Sequence, residues 1–266
     1  MHVHFLDPYQ DRNSPIHRLD PRVKFVLAVA FILTTSMIPT AVWPVFILLQ
    51  AIILSVILLS QLGIGYVLKR AALAFPFVLA AFPLLFTVKG ASLASFNLAG
   101  WQLAISQPGL ERFASIAIKA WLSVQAAIVL ASSTPFPELL AAMRSVKVPR
   151  MLVAIFGLMW RYMFVMVDEA LRLMRARSAR SGLADQAGLK SGRSVAWRAR
   201  VTGGMAGSLF LRAIERSDRI YMAMLARGYD GEVRSIPLPT IATAHWLTLI
   251  AGLALLVILL FLAYLL

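Results

Sequence analysis

Five apolar stretches, each near the roughly 20 residues that a helix needs to cross a bilayer, constrain this chain more than any other feature. They run over Arg22–Thr40, Ala41–Ser60, Ala71–Val88, Phe113–Ala131 and Ala242–Leu266. Lipid offers no hydrogen-bond partners, so such segments must satisfy their backbone internally, and the expected fold is an all-α polytopic membrane protein with about five transmembrane helices. The composition agrees: 60% of residues are hydrophobic and 14% charged, against about a quarter charged in soluble domains. The first run has no cleavage pattern after it and is followed at once by a second, so it reads as a retained span. Asp20 can cap its start, with Pro21 at the first helical position, where a missing N–H costs nothing. Pro39-Thr40 predicts a tight hairpin between the first two spans, and Pro44, Pro76 and Pro83 predict kinks.

Charge sets the expected orientation. With the N-terminus inside, the cytosolic pieces are 1–21, 61–70 and 132–241. Counting Arg22 and Lys24 at the inner end of the first span, they carry all but three of the 26 basic residues. The exceptions are Lys89 and Arg112, which flank the outer loop, and Lys119 within the fourth span. This is the positive-inside pattern. It accounts for most of the +14 net charge and removes the main support for nucleic-acid binding. The expected organisation is a membrane domain over 1–143, a cytosolic segment over 144–241 and a final span over 242–266, with the C-terminus outside the cytoplasmic membrane.

Met151–Val167 is apolar but short, and it contains Arg161. Crossing would place residues 168–241, with thirteen Arg and Lys, outside, and a charge at mid-bilayer costs at least ~2.5 kcal/mol on insertion scales. The stretch therefore reads as a helix buried in protein or lying at the cytosolic face.

Residues 144–234 hold 17 basic and 7 acidic side chains, yet apolar residues recur there at helical spacing. Leu211, Ile214, Asp218, Tyr221 and Leu225 share one helical face. The helix is expected to run to Arg227 and stop at Gly228, a residue suited to the left-handed position that ends helices. An earlier helix is expected near Asp168–Ser181, and Gly182–Ser194 reads as a loop. Eight of the eleven methionines lie between Met151 and Met224. They suit either a core or a surface that repacks against a partner. So few residues with so much Arg cannot bury a large core alone. Ala179-Arg180-Ser181 and Ala226-Arg227-Gly228 are similar tripeptides near expected helix ends, and Ala176-Arg177-Ser178 is a third. Their arginines are either solvated or lipid-facing, or else poised to engage a carboxylate bidentately on a partner.

Other chemistry finds little support. There are no cysteines, and His2, His4, His17 and His245 are scattered, so no metal site or cofactor is expected. The spans hold no Asp, Glu or Cys for membrane-embedded catalysis. Gly188-Leu189-Lys190-Ser191 lacks the first half of a phosphate-binding loop, so ATP hydrolysis is not expected here. A stand-alone channel or secondary transporter would use intramembrane charge, for which only Lys119 qualifies.

Several ordered blocks resemble the transmembrane (T) component of energy-coupling factor transporters, the EcfT/CbiQ family. They are Ser14-Pro15-Ile16-His17-Arg18-Leu19-Asp20-Pro21-Arg22-Val23-Lys24; Thr134-Pro135-Phe136-Pro137-Glu138-Leu139 followed by Val148-Pro149; and Trp160-Arg161-Tyr162 followed by Asp168-Glu169-Ala170. The last are Glu215-Arg216-Ser217-Asp218-Arg219 and Met222-Ala223-Met224-Leu225-Ala226-Arg227-Gly228-Tyr229-Asp230-Gly231. The resemblance implies a non-catalytic scaffold whose two Ala-Arg-Gly/Ser motifs, on cytosolic coupling helices, dock into two ABC-type ATPase subunits. The same scaffold would hold a substrate-binding S component in the membrane. By position Arg227 matches the second motif and Arg180 the first, with Arg177 as the fallback. The lead-in block is most like the cobalt and nickel branch; a T component shared by vitamin S components is the alternative.

Overall fold

The structure, a computed structural model, describes residues 8–88, 92–98, 101–186, 195–231 and 240–265. Contacts divide the chain into two units, one formed by His4–Val146 with Pro237–Leu266 and the other centred on Lys147–Ile236.

The first unit opens with a short helix α1 (Pro15–Arg18) and continues into α2 (Pro21–Met37), capped by the Asp20 carboxylate accepting from the Arg22 N–H at 2.9 Å. A turn through Pro39 and Thr40 follows, with Ala41 in the left-handed region at φ 71°. Its N–H donates to the Ser115 hydroxyl at 3.1 Å, which holds the strained turn in place. Helix α3 (Trp43–Ser60) buries Val45, Leu49, Ile53 and Ile57 along one face, while Ile47, Leu48, Leu58 and Leu59 stay exposed. A helix apolar on all sides suits a lipid surround. In lipid the buried face is held by close packing rather than by escape from water.

The expected span Ala71–Val88 is not one helix. The chain runs through α4 (Ile64–Ala71), a 3₁₀ turn (Ala72–Ala74), α5 (Phe75–Leu79) and α6 (Leu84–Thr87). Pro76 and Pro83 each lack an N–H, and from Ala80 to Phe86 the backbone bonds three residues back, as in Ala81 N–H to Val78 at 3.0 Å. The prolines break the segment rather than kinking it. An antiparallel hairpin follows, β1 (Ser92–Leu98) and β2 (Trp101–Ser106), pairing Phe96 with Leu103 and Leu98 with Trp101. It occupies what the sequence reads as an outer loop. Two short runs rich in apolar residues around Ala99-Gly100 were the available signal.

Helix α7 (Gln107–Ser133) is longer than expected and is followed by α8 (Phe136–Ser145). Helix α11 (Thr243–Leu265) is the final span. Helix α2 packs on α7, α8 and α11, and α3 packs on α7. Their shared core includes Phe31, Leu49, Ile57, Leu122, Val129 and Leu256.

The second unit consists of α9 (Arg150–Gln186) and α10 (Val195–Ala226). Met151–Val167 is not a separate helix; Val153 and Ala154 within it are buried. It is the first half of α9, with Met151, Ile155 and Met159 exposed. Nor does a loop begin at Gly182, because the helix continues to Gln186; residues 187–194 lie outside the described ones. With no proline between Met151 and Gln186, nothing interrupts the backbone ladder. Among the described residues, four helical segments are long and apolar enough to cross a membrane: α3, α7, Arg150–Arg180 of α9, and α11. The protein is an all-α, multi-pass membrane protein to which the short hairpin is an addition.

Candidate coupling segment and membrane joint

Helices α9 and α10 pack on each other. Glu169 on α9 accepts a hydrogen bond from Arg212 on α10 at 2.5 Å, and Arg172 lies 3.9 Å from the same carboxylate. Further along α9, the Arg177 guanidinium donates to the Thr202 hydroxyl at 3.1 Å and lies 5.9 Å from the centre of the Trp197 ring. As residue number rises on α9 it falls on α10, so the two helices run antiparallel here.

Arg177 is thus turned toward α10. Arg180 is exposed, and Ala179 beside it is exposed too. Neither arginine is at a helix end. The expectation that Ala179-Arg180-Ser181 closes a helix is overturned, since α9 runs on to Gln186. The side chain of Ser181 lies outside the described ones.

Arg227 is different. Helix α10 ends at Ala226, and Gly228 takes φ 77°. The Tyr229 N–H reaches back to the Met224 carbonyl at 3.0 Å, and the Gly228 N–H to that of Leu225 at 2.9 Å. This pair of bonds is the Schellman ending, which uses glycine because a Cβ is disfavoured at positive φ. Arg227 is the capping residue between them and is exposed, as are Ala226 and Gly228. Leu211, Ile214, Tyr221 and Leu225, the face expected to be apolar, are all exposed within this chain.

The structure does not bring Arg180 and Arg227 together. From the Glu169–Arg212 contact, Arg180 lies eleven residues along α9 and Arg227 fifteen along α10, in opposite senses. At 1.5 Å per residue these are displacements of ~16 Å and ~22 Å.

The membrane unit places its polar groups in specific joints. Lys24 is buried at the start of α2 and donates to the Ser133 carbonyl at the end of α7 at 2.9 Å. The Gln10 N–H bonds the adjacent Ser132 carbonyl at 3.0 Å. Between them, the His17 Nε2–H donates to the Gln10 carbonyl at 2.9 Å, and Nδ1 meets the Ser14 hydroxyl at 2.7 Å. A carbonyl can only accept, which places the proton on Nε2. Burial holds the His17 pKa below 6.5; the Lys24 charge also lowers it, and the bond to Gln10 opposes both. His245 on α11 accepts from the Asp20 N–H at 3.2 Å. The Ser14–Lys24 block is therefore a connector among α2, α7 and α11.

Lys119 donates to the Ser36 carbonyl at 3.2 Å and to the Ile38 carbonyl. It caps the end of α2, where a cation meets unpaired carbonyls and the negative end of the helix dipole. This role removes the feature that favoured an ion path. Gln50 on α3 and Gln125 on α7 exchange amide hydrogen bonds at 3.2 and 3.4 Å, a pair that the sequence reading missed because its partners are distant in the chain. Among the described residues no cluster of three His, Asp, Glu or Cys could hold a metal.

Residues 12–239 match the family described as CbiQ, Cobalt transport protein. The Cobalt transport protein CbiQ of Rhodobacter capsulatus is 27% identical over 184 residues, covering 69% of this chain and 70% of the relative. An Energy-coupling factor transporter transmembrane protein EcfT of Ruminiclostridium cellulolyticum is 28% identical over 232 residues, covering 84% and 82%. An uncharacterized protein of Methanocaldococcus jannaschii is 25% identical over 228 residues, covering 84% and 80%. With the match spanning most of the chain, this protein belongs to the EcfT/CbiQ family of transporter membrane proteins.

Proposed function

We propose that this chain is the transmembrane coupling subunit of an energy-coupling factor importer, with the α9–α10 segment on the cytosolic side. In this reading Arg227 and Arg180 each dock into one of two ATPase subunits, with the neighbouring Ala179, Ser181, Ala226 and Gly228 leaving room for close approach. The observation that carries it is the ending of α10. A Schellman turn holds an exposed arginine at the tip of a helix on which Leu211, Ile214, Tyr221 and Leu225 are exposed among the described residues. That is a geometry for insertion into a partner's groove. Arg180 suits the first motif better than Arg177, whose guanidinium is engaged by Thr202 and Trp197.

The mechanism is mechanical. ATP-driven closure of the ATPases moves two arginines set on opposite sides of the Glu169–Arg212 contact. Their rigid helices carry that motion to the membrane unit and on to a substrate-binding S component. Such coupling requires two arrangements biased differently by ATP. Cobalt or nickel ion is the proposed cargo, supported by the family's description and by relatives named as cobalt transport proteins. A shared vitamin module is the second reading, supported by relatives named EcfT.

The test is co-purification and uptake. Arg180→Glu together with Arg227→Glu should leave the protein inserted but unable to retain the ATPases, since breaking a buried bidentate contact costs ~2–5 kcal/mol. Full ATPase recovery with intact uptake would refute the reading. Substrate uptake by this chain alone in liposomes would do the same.

A further inference from the structure

Helices α2 and α3 each pack on α7 and on α11, and a cavity of about 220 Å³ takes the place of close packing between α2 and α3. Leu27 and Phe31 of α2, Ile53 of α3, Val129 of α7 and Leu256 of α11 face it. Along α2 its lining runs from Lys24 to Phe31, ~10 Å of helix rise, so the space is drawn out along the helix axis. Protein interiors leave few voids larger than a water molecule. An empty one forfeits the dispersion contacts of every side chain that faces it. In lipid those contacts are a main force holding helices together, so a void of this size calls for an occupant.

We propose that this cavity holds one acyl chain of a membrane phospholipid. Its polar lining residues, Lys24 and Ser133, offer a ligand nothing polar. The Lys24 ammonium is spent on the Ser133 and His17 carbonyls, at 2.9 and 3.4 Å, and the Ser133 hydroxyl turns to the Leu130 carbonyl. What remains is hydrocarbon, and apolar cavities stay dry and take up apolar molecules. Of the lining residues Leu255 alone is exposed, while Phe31, Ile53, Val129 and Leu256 are buried. That marks a mouth beside Leu255, near the middle of α11, a helix long and apolar enough to cross the membrane. At mid-span the surrounding medium is itself acyl chain, so what enters there is hydrocarbon. A ~150 Å³ apolar cavity accommodates benzene. By that measure this one holds roughly nine carbons, more than a leucine or phenylalanine side chain from a partner would supply. Gly252 in the lining keeps α11 close to α2, since a Cβ there would fall 2.6 Å from the Leu27 Cδ2. The inference rests on the membrane unit alone and is independent of the coupling role.

The full chain is reconstituted in phosphatidylcholine vesicles containing a trace of the same lipid with a diazirine halfway along one acyl chain. After irradiation the labelled residues are mapped by peptide mass spectrometry. Label is expected on the buried Phe31, Ile53, Val129 and Leu256 as well as on the exposed Ile47, Leu58 and Phe261. Ala28→Leu with Ala126→Leu fills the space from two walls and should cut the interior label about fivefold. Unchanged label on Ile47, Leu58 and Phe261 checks that this variant is still inserted and folded. Leu255→Trp, which narrows the mouth from an exposed position and leaves the core untouched, should lower the interior label as well. Label confined to the exposed residues, or interior label undiminished in both variants, would overturn the proposal. Interior labelling by a small water-soluble diazirine would also overturn it, by showing a wet cavity. So would interior label that appears in vesicles but is lost in the cell's own membrane, which would assign the space to a partner's side chain.

Discussion

Glu169 and Arg212, 43 residues apart, form the ion pair that joins α9 to α10. The carboxylate is 17% exposed and the arginine 56%. A partly solvated pair of this kind contributes little stability but sets register, and register decides where Arg180 and Arg227 stand relative to each other.

A double-mutant cycle of Glu169→Ala and Arg212→Ala, read by thermal unfolding in detergent, should give a coupling near ~0.5 kcal/mol. Transport should fall more than that small number suggests, because the helices lose their alignment. Zero coupling with normal transport would remove the pair from the mechanism.

Gly228→Ala should strain the end of α10 by ~1–2 kcal/mol, because φ 77° is costly for a residue with a Cβ. Nothing lies within 4 Å of an added Cβ, so the effect is conformational rather than steric. ATPase retention should drop for Gly228→Ala and drop less for Gly228→Asn, since asparagine tolerates the left-handed region. Equal retention by both would show that this turn does not position Arg227.

The His17 joint should weaken in mild acid. Its folded-state pKa lies below 6.5, chiefly through burial. The opened joint therefore takes up a proton first as pH falls through 6.5, and stability is lost until the folded pKa is reached. Hydrogen exchange of residues 9–19 should speed up over that window in the wild type. In His17→Asn the same segment should exchange with little pH sensitivity beyond the chemical rate, and a retained acid response would show that His17 is not the group that weakens the joint.

Gln125→Ala should lower detergent thermal stability, because it leaves the Gln50 amide without its partner between α3 and α7. Interhelical hydrogen bonds in membranes average ~0.6 kcal/mol. Replacing both glutamines by Leu should recover most of the loss, since no polar group is then left unmatched. Failure of the double variant to recover would assign the loss to packing.

Local chemistry, read from the residues alone, determined much of this protein. Apolar length marked four of the helices, Asp20-Pro21 marked the start of α2, Pro39-Thr40 its turn, and Gly228 the end of α10. Each is decided by residues within a few positions of one another. The blocks from Ser14 to Gly231 also carried the family resemblance. Other features depended on contacts that sequence distance hides. Pro76 and Pro83 broke a segment whose composition alone suggested a span. Met151–Val167 and Asp168–Gln186 joined into one helix, which left Arg180 within it rather than at its tip. Lys24 and Ser133, Gln50 and Gln125, and Glu169 and Arg212 found each other only through packing. Lys119 changed from a candidate path charge into a helix cap for the same reason. A side chain's role in a membrane protein depends on which unpaired group it can reach, and only the tertiary structure decides that.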